Sequence, residues 1–243
     1  MYEAISQSRY FVYLSFLYSG LIYYVFKKAR SEKMSLNISL DISLIVMVLG
    51  LIGARLVHVV WEAPFYYRDH FIEIFKFWNG GFVFYGGAIV ALIGSLIFLK
   101  IRRENFWVWA DFFTPIISIG YSLGRVSCLI SGCCYGKTCD LYLPLIDRHP
   151  TQVYASLLEL INFLLILKFY KNITKNRSGI LFLSWVTVHA LGRVLMEYFR
   201  ADFRGDQILQ MSFGTLISLI LISLSLGLLY FRLTSDQSKV RHS

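Results

Sequence analysis

Long apolar blocks alternate with short polar connections along this chain. Seven of the blocks approach the 17–25 residues that a helix needs to cross the hydrocarbon layer of a membrane. Backbone polar groups in that layer must be hydrogen-bonded within the protein, and a helix achieves this inside one segment. The pattern therefore predicts an all-α polytopic membrane protein, a single integral membrane domain over residues 1–243, with seven transmembrane helices at about 10–26, 38–60, 82–99, 106–130, 151–170, 180–199 and 211–231.

The composition agrees with a membrane protein. Hydrophobic residues make up 56% of the chain and charged residues 16%, whereas soluble domains are about 45–50% apolar and about 25% charged. No cleavable signal peptide is apparent, because Met1–Arg9 carries little positive charge and no small-residue cleavage site follows the first apolar block. The first block is therefore expected to remain as a span.

Lysine and arginine are unevenly distributed between alternate connections. One set of connections carries fourteen Lys and Arg against three acids, and the other carries seven against eight. The positive-inside rule assigns the first set to the cytoplasm, which predicts an external N-terminus and a cytoplasmic C-terminus. The net charge of +9 is then a topology signal with some attraction to anionic membrane lipid, and it requires no nucleic-acid partner.

Three arginines lie inside apolar blocks, each directly after a small residue: Arg55, Arg125 and Arg193. A guanidinium stays protonated in proteins, and placing it at membrane depth costs at least about 2.5–3.5 kcal/mol. In the predicted orientation, each lies within about two helical turns of the outer surface. A bound anion would offset this free-energy cost by pairing with the guanidinium. The alternatives are snorkelling of Arg125 to the headgroups and an ion pair between Arg193 and Glu197, which are four residues apart.

Two polar motifs accompany the arginines on the same predicted side. In the segment 78–87, two glycine pairs flank Tyr85, which allows close approach of a ligand or of a neighbouring helix. In the segment 149–154, His149 precedes a proline at a helix start, where free N–H groups favour an anion. His149 taken alone is also consistent with an ordinary polar loop residue.

Other polar residues in the apolar blocks have simpler interpretations. His58 and His189 are expected to be hydrogen-bonded packing residues. Asp41 and Asp111 lie near predicted helix starts, where capping accounts for a carboxylate.

All four cysteines fall within twelve residues: Cys128, Cys133, Cys134 and Cys139. Their spacing is not a usual zinc pattern, and no metal or other cofactor is predicted. Disulfides persist outside the cytoplasm, so a bridge from Cys139 to Cys134 or Cys133 is expected. A free nucleophilic cysteine is the alternative.

In this order, the motifs resemble those of the bacterial prolipoprotein diacylglyceryl transferase family. The resemblance runs from about Leu40 to Phe231. The matching elements are Leu40-Asp41, Gly53-Ala-Arg55, Trp78-x-Gly-Gly-x-x-x-x-Gly-Gly87, Gly124-Arg125 to Gly136, His149-Pro-Thr-Gln-Val-Tyr154, Gly192-Arg193-x-x-x-Glu197-x-x-Arg200-x-Asp202, and Gly214.

The resemblance implies transfer of the diacylglyceryl group of phosphatidylglycerol to the lipobox cysteine thiol of a prolipoprotein, with release of glycerol phosphate. The implied partners are this lipid and prolipoprotein signal peptides, and the implied location is the bacterial inner membrane, with the active site toward the outer leaflet. By resemblance, Arg125 and Arg193 hold the lipid phosphate, where cationic donors stabilise the charge that develops on the departing group. Arg55 is expected to support them in binding the phosphate, paired with an acid such as Glu62.

Four positions depart from the family pattern. Tyr85 stands where the family usually has a histidine, Cys128 where it has an asparagine, and Cys133 and Ala155 where it has acids. A thiol of pKa about 8.5 needs a base or a positive field to react, and these departures leave that base open. Tyr85 and Glu197 are the best remaining candidates for proton handling or for orienting the arginines, and His149 is a third. Arg193 is expected to act in catalysis through its contact with the phosphate. Two alternatives stay open: another lipid donor or acceptor, and a non-catalytic membrane protein that binds lipid or lipoprotein.

Overall fold

Helices make up nearly all of the regular secondary structure in the described residues. The computed structural model describes residues 2–139, 148–174, 177–200 and 212–240. In these ranges, strand-like pairing is confined to two isolated bridges, between Gly136 and Arg200 and between Thr138 and Arg148. The α-helices are α1 (Tyr2–Ser31), α2 (Leu36–Val57), α3 (Pro64–Asp69), α4 (Phe84–Ile101), α5 (Phe106–Ile130), α6 (Thr151–Thr174), α7 (Ile180–Phe199) and α8 (Phe213–Val240).

Six helical segments of the described chain are long and apolar enough to cross a membrane. They are Leu36–Glu62, Phe84–Ile101, Phe106–Ile130, Thr151–Thr174, Ile180–Phe199 and Gly214–Thr234. The all-α, multi-pass prediction is therefore confirmed for six spans. The remaining predicted span, 10–26, lies inside α1. Its crossing of the membrane, and the orientation of the chain, stay predictions.

The helix ends follow local signals in the sequence. Ser35 accepts a hydrogen bond from the Ile38 N–H and begins α2. Asp111, predicted as a helix cap, does cap a helix, but it is α7 and not its own α5. Its carboxylate accepts hydrogen bonds from the Gly179 and Phe182 N–H groups at 2.5 and 2.9 Å. Tertiary contact between α5 and α7 thus satisfies donors that α7 cannot satisfy alone.

The helices are grouped into two compact units. Unit 1 comprises residues 1–19 and 107–243, and unit 2 comprises residues 20–106. The single membrane domain predicted from the sequence is untested by this division and stays a prediction.

In unit 2, α2 and α4 meet through glycines. A Cβ atom added to Gly53 would lie 2.6 Å from Val90 Cβ and 2.7 Å from the Gly86 carbonyl oxygen. One added to Gly86 would lie 2.7 Å from the Gly53 carbonyl oxygen. Small residues at this crossing therefore allow the two backbones to approach closely, as is common between membrane helices. Gly86, from the glycine-rich motif, serves helix packing.

In unit 1, α7 packs against both α6 and α8. A buried cluster of Ile166, Leu181 and Trp185 lies between α6 and α7. The Thr187 and Ser225 hydroxyls are 2.7 Å apart and join α7 to α8. Contacts of this kind hold together the helices that carry the polar residues described next.

Candidate functional site

Arg55, in unit 2, is enclosed by backbone carbonyls. Its side chain is only 2% exposed. It donates hydrogen bonds to the carbonyls of Ile74 at 3.1 Å, Glu73 at 2.6 Å and Gly80, and its guanidinium lies 5.2 Å from the centre of the Tyr67 ring. The guanidinium thereby holds the connection between α2 and α4 in place. A direct role of Arg55 on a lipid phosphate stays a prediction.

The neighbours of Arg55 differ from the expected ones. Glu62, expected as its acid partner, has its carboxylate 2.6 Å from His58 Nδ1. Gly81 has a positive φ of 75°, and a Cβ atom there would lie 2.8 Å from the Arg55 Nη1. The Arg55 site therefore needs glycine at position 81. Tyr85, also in unit 2, is 6% exposed in the first turn of α4, and its predicted catalytic role is untested.

Arg125, in unit 1, has a different environment. Its Nε and Nη2 donate to the Tyr121 hydroxyl at 3.0 and 2.6 Å, and the guanidinium lies 4.9 Å from the centre of the same ring. Within the described part of the chain, no carboxylate lies within ion-pair distance of Arg125. Tyr121 therefore orients the guanidinium without neutralising it, and the positive charge is available for an anion.

A buried polar network adjoins Tyr121. The Tyr121 and His189 rings meet edge to face with their centres 4.5 Å apart, and the His189 Nδ1 lies 2.8 Å from a Glu159 oxygen. The other Glu159 oxygen accepts hydrogen bonds from the Ser118 hydroxyl at 2.8 Å and the Trp185 Nε1 at 2.5 Å. Glu159 is 4% exposed, and a carboxylate so buried requires such a set of donors. The expectation that His189 is hydrogen-bonded in the packing is confirmed.

A cleft of about 400 Å³ opens between α5, α6 and α7. Tyr121, Glu159, Asn162, His189 and Arg193 provide its polar lining, and the remaining lining residues are Ala155, Leu158, Val188, Leu191, Gly192, Leu195 and Met196. His189, Arg193 and Glu197 follow one another at four-residue intervals and so share a face of α7. A mostly apolar cleft with one cationic side chain suits an amphiphile that carries a negative charge.

The C-terminal end of α5 brings cysteines together. Gly132 has a left-handed φ of 72°, the Cys133 N–H donates to the Cys128 carbonyl at 3.1 Å, and the Gly132 N–H donates to the Leu129 carbonyl at 3.1 Å. These are the two hydrogen bonds of a Schellman motif, which places the residues at the Cys128 and Cys133 positions in contact. The Cys128, Cys133 and Cys134 sulfurs lie within 4.8 Å of one another.

The expected disulfide is wrong for this structure. All four cysteines are free, including Cys139, and the Cys133 and Cys134 sulfurs are 3.3 Å apart. Hydrogen bonds from the Cys128 and Cys133 thiols, together with the positive charges of Arg200 and Arg125, lower the pKa of the Cys134 thiol below its usual value. The four thiols are thus unpaired by disulfides in this structure, and two arginines contribute positive charge near Cys134.

His149 lies where the cysteine-containing segment, the start of α6 and the end of α7 meet. Its backbone exchanges hydrogen bonds with Gly136 at 2.8 Å and Lys137 at 2.9 Å. Its ring lies 5.2 Å from Phe199, centre to centre, and its Nδ1 is 3.4 Å from the Tyr154 hydroxyl. His149 thus helps to join these segments, and its predicted role with a proton is untested.

Comparison of the sequence with known proteins decides which family the chain belongs to. A family model described as prolipoprotein diacylglyceryl transferase matches residues 10–231. The chain belongs to the prolipoprotein diacylglyceryl transferase family. The phosphatidylglycerol–prolipoprotein diacylglyceryl transferase of Listeria welshimeri is 33% identical over 84% of this chain and 78% of its own length. The protein of the same name from Desulfotalea psychrophila is 31% identical over 79% and 76%, and that from Streptococcus pneumoniae 30% over 87% and 84%.

The sequence predicted only part of this transferase-family site. Arg125, Arg193, Glu197 and His149 all fall in unit 1, whereas Arg55 and Tyr85 fall in unit 2. Asp202, from the last motif, lies outside the described residues. Their individual roles stay predictions.

The sequence motifs did not identify Tyr121 or Glu159 as residues of the site, and His189 was predicted only as a hydrogen-bonded packing residue. The signal that could have found Glu159 is a lone carboxylate in the middle of the apolar block 151–170, because an intramembrane charge needs a partner.

Proposed function

We propose that this chain transfers the diacylglyceryl group of phosphatidylglycerol to the lipobox cysteine thiol of a prolipoprotein. The observation that carries the proposal is the cleft that Arg193 lines together with apolar side chains, beside Tyr121, which orients Arg125. This arrangement offers cations to a lipid phosphate and apolar surface to acyl chains. The names of the curated relatives, which match most of the chain, support the same reaction.

The reaction needs a thiolate and a stabilised leaving group. The thiolate sulfur attacks a glycerol carbon of the lipid and forms a thioether bond. The bond from that carbon to the phosphate oxygen breaks, and its electron pair stays on the oxygen of the departing glycerol phosphate. Arg125 and Arg193 stabilise the charge that grows there, because fixed cationic donors act strongly in a site with little water. Arg55 is assigned a supporting part in phosphate binding on the strength of its motif alone.

The thiol proton must pass to a basic side chain. Glu197 lies one turn beyond Arg193 on the same face of α7, and His149 lies against the end of α7 through Phe199. Tyr85 is the third candidate, for proton handling or for positioning the headgroup. His189 adds a fourth, because Glu159 fixes the position of its ring at the cleft. Single substitutions compared over a range of pH distinguish a base from a positioning residue.

The proposed location is the bacterial inner membrane, with the N-terminus outside, the C-terminus in the cytoplasm and the site toward the outer leaflet. The support is the excess of Lys and Arg in alternate connections. Reaction of single introduced cysteines with a membrane-impermeant maleimide tests this orientation. Labelling of position 237 in intact cells would contradict it.

The transfer itself is tested with purified protein, phosphatidylglycerol vesicles and a lipobox peptide. Mass spectrometry should show a peptide that carries thioether-linked diacylglycerol, and Arg193→Ala should lower the rate about 100- to 1000-fold. Arg102→Ala is the matched control, since Arg102 lies at the end of α4 and is 55% exposed. Full activity of Arg193→Ala would refute the assignment of the phosphate site.

The open alternatives have distinct outcomes in the same assay. Product from phosphatidylethanolamine vesicles and none from phosphatidylglycerol indicates another donor. Bound lipid or peptide without any product indicates a non-catalytic binding protein.

A further inference from the structure

Three thiols converge where α5 ends, and the local backbone accounts for their convergence. The Schellman motif at Gly132 places Cys128 and Cys133 side by side. Cys134 then adopts a left-handed φ of 66°, which is uncommon for a residue other than glycine, and this turn brings the third sulfur to within 4.8 Å of the other two. A backbone conformation with this cost needs surrounding contacts to maintain it.

Those contacts come from the first turn of α6. The Thr151 hydroxyl donates a hydrogen bond to the Cys134 carbonyl at 2.6 Å, and the Gln152 amide donates one to the Cys133 carbonyl. Thr151 and Gln152 are 3% and 1% exposed. Two buried side chains therefore hold the backbone of the cysteine pair, so the three sulfurs are positioned by the fold before any ligand arrives.

The sulfur positions match the needs of a soft divalent cation. Zinc binds thiolate sulfur at about 2.3 Å in a tetrahedral arrangement, which places neighbouring sulfurs about 3.8 Å apart. The sulfurs here lie within 4.8 Å of one another, so small side-chain rotations suffice. Cys133 is exposed, and Cys128 and Cys134 are half-buried, which leaves one side of the cluster open.

We propose that Cys128, Cys133 and Cys134 bind Zn²⁺ through three thiolates, and that the open fourth position takes the lipobox cysteine thiol of the prolipoprotein. The proposal rests on the proposed transferase function and supplies the thiol activation that the family departures at Cys128 and Cys133 left open. Catalytic zinc sites typically have three protein ligands and one open position. In common zinc motifs, a short loop brings two cysteines together. Here the helix end brings the cysteines together, which explains their unusual spacing.

The chemistry is that of a metal-bound thiol. On coordination, the substrate thiol loses its proton to solvent or to a side chain at the cleft. The coordinated sulfur then forms the bond to the glycerol carbon, the carbon–oxygen bond to phosphate breaks, and the neutral thioether leaves the metal. Arg125 lies three residues before Cys128 on the same face of α5, so the nucleophile and a cation for the leaving phosphate are adjacent along one helix.

Metal binding is measured first, with reduced, metal-free protein and Zn²⁺ or Co²⁺ alone. We expect one ion per chain, a thiolate-to-cobalt charge-transfer band, and X-ray absorption with three sulfurs at about 2.3 Å from zinc. Cys128→Ser, Cys133→Ser and Cys134→Ser should each weaken binding at least about 100-fold, since even changes outside the ligand set cost 10- to 100-fold. The matched control is Cys139→Ser, because Cys139 lies outside the cluster, and it should bind as the unsubstituted protein does.

Absence of stoichiometric binding by the reduced protein overturns the proposal, as does equal weakening by Cys139→Ser. The X-ray absorption measurement uses the unsubstituted protein and so does not depend on the folding of any variant.

The open position is tested with a lipobox peptide and its serine counterpart. The cysteine peptide should change the cobalt spectrum and the serine peptide should not. Identical spectra would show that the lipobox thiol does not occupy the fourth coordination position. Transfer at the full rate by metal-free protein refutes the zinc site but leaves the transferase function standing. Stoichiometric metal with no thioether product on any lipid refutes the transferase function instead.

Discussion

Arg55 and Arg125 both lie in apolar helices, but their hydrogen-bond partners are of different kinds. Arg55 is held by the carbonyls of Ile74, Glu73 and Gly80, all in the connection that follows its own helix. Arg125 contacts a neutral tyrosine hydroxyl one turn away, at 2.6 Å. Backbone carbonyls take up most of the hydrogen-bonding capacity of Arg55, whereas Arg125 keeps several N–H donors available.

The difference shows that an intramembrane arginine can have either of two functions. One arginine organises backbone that would otherwise lack partners, and its loss should be felt in folding. The other, Arg125, is oriented by the Tyr121 hydroxyl. If it binds the lipid phosphate as proposed, its loss should be felt in catalysis. Substitutions in the two regions should therefore separate stability from activity.

The largest expected effect is on activity, from Arg125→Ala. We expect transfer to fall about 100- to 1000-fold, because a cationic donor to the leaving phosphate is removed. The melting temperature should change little, since Arg125 bonds only Tyr121 among the described residues. Transfer assays and thermal denaturation on the same preparation check this. A large loss of stability with near-normal activity would show that Arg125, like Arg55, mainly stabilises the fold.

Arg55→Met should have the next largest effect, and it should be on stability. The substitution keeps apolar volume but leaves several buried carbonyls without a donor, at about 1–3 kcal/mol each. We expect the protein to unfold several degrees lower in temperature and to give less folded material. Arg102→Ala is the control for general loss of a positive charge. If the folded fraction of Arg55→Met has lost most of its activity per molecule, Arg55 takes part in substrate binding as well.

Tyr121→Phe should have the smallest effect of the three. It removes the hydroxyl that orients Arg125 but keeps the ring that lies against His189. A hydrogen bond to a charged group contributes about 1.5–3 kcal/mol, so we expect transfer to fall about tenfold or somewhat more. Initial rates at varied lipid concentration should show which step is affected. An unchanged rate would show that Arg125 finds its position without Tyr121.

Local features of the sequence were predictable, and contacts between distant segments were not. The blocks 106–130 and 180–199 match the observed α5 and α7. They were predictable because the hydropathy of a segment depends only on the residues within that segment. Asp111 was predicted as a cap, but only the packed structure shows that it caps α7. The disulfide to Cys139 was expected from the predicted external location of the cysteines. It is wrong because the Schellman motif and the left-handed turn at Cys134 bring the other three sulfurs together instead.

The sequence by itself determined that this is a multi-pass helical protein of the prolipoprotein diacylglyceryl transferase family. The free energy of transferring a segment into lipid is a sum of contributions from its own side chains. Family motifs are likewise short runs of neighbouring residues. Tertiary structure alone decided which buried polar groups meet. Glu159 and His189 are 30 residues apart in the chain, and Arg55 takes its partners from 18 to 26 residues away. Hydrogen bonds depend on distance and direction in space, so the different surroundings of Arg55 and Arg125 became visible only in the packed structure.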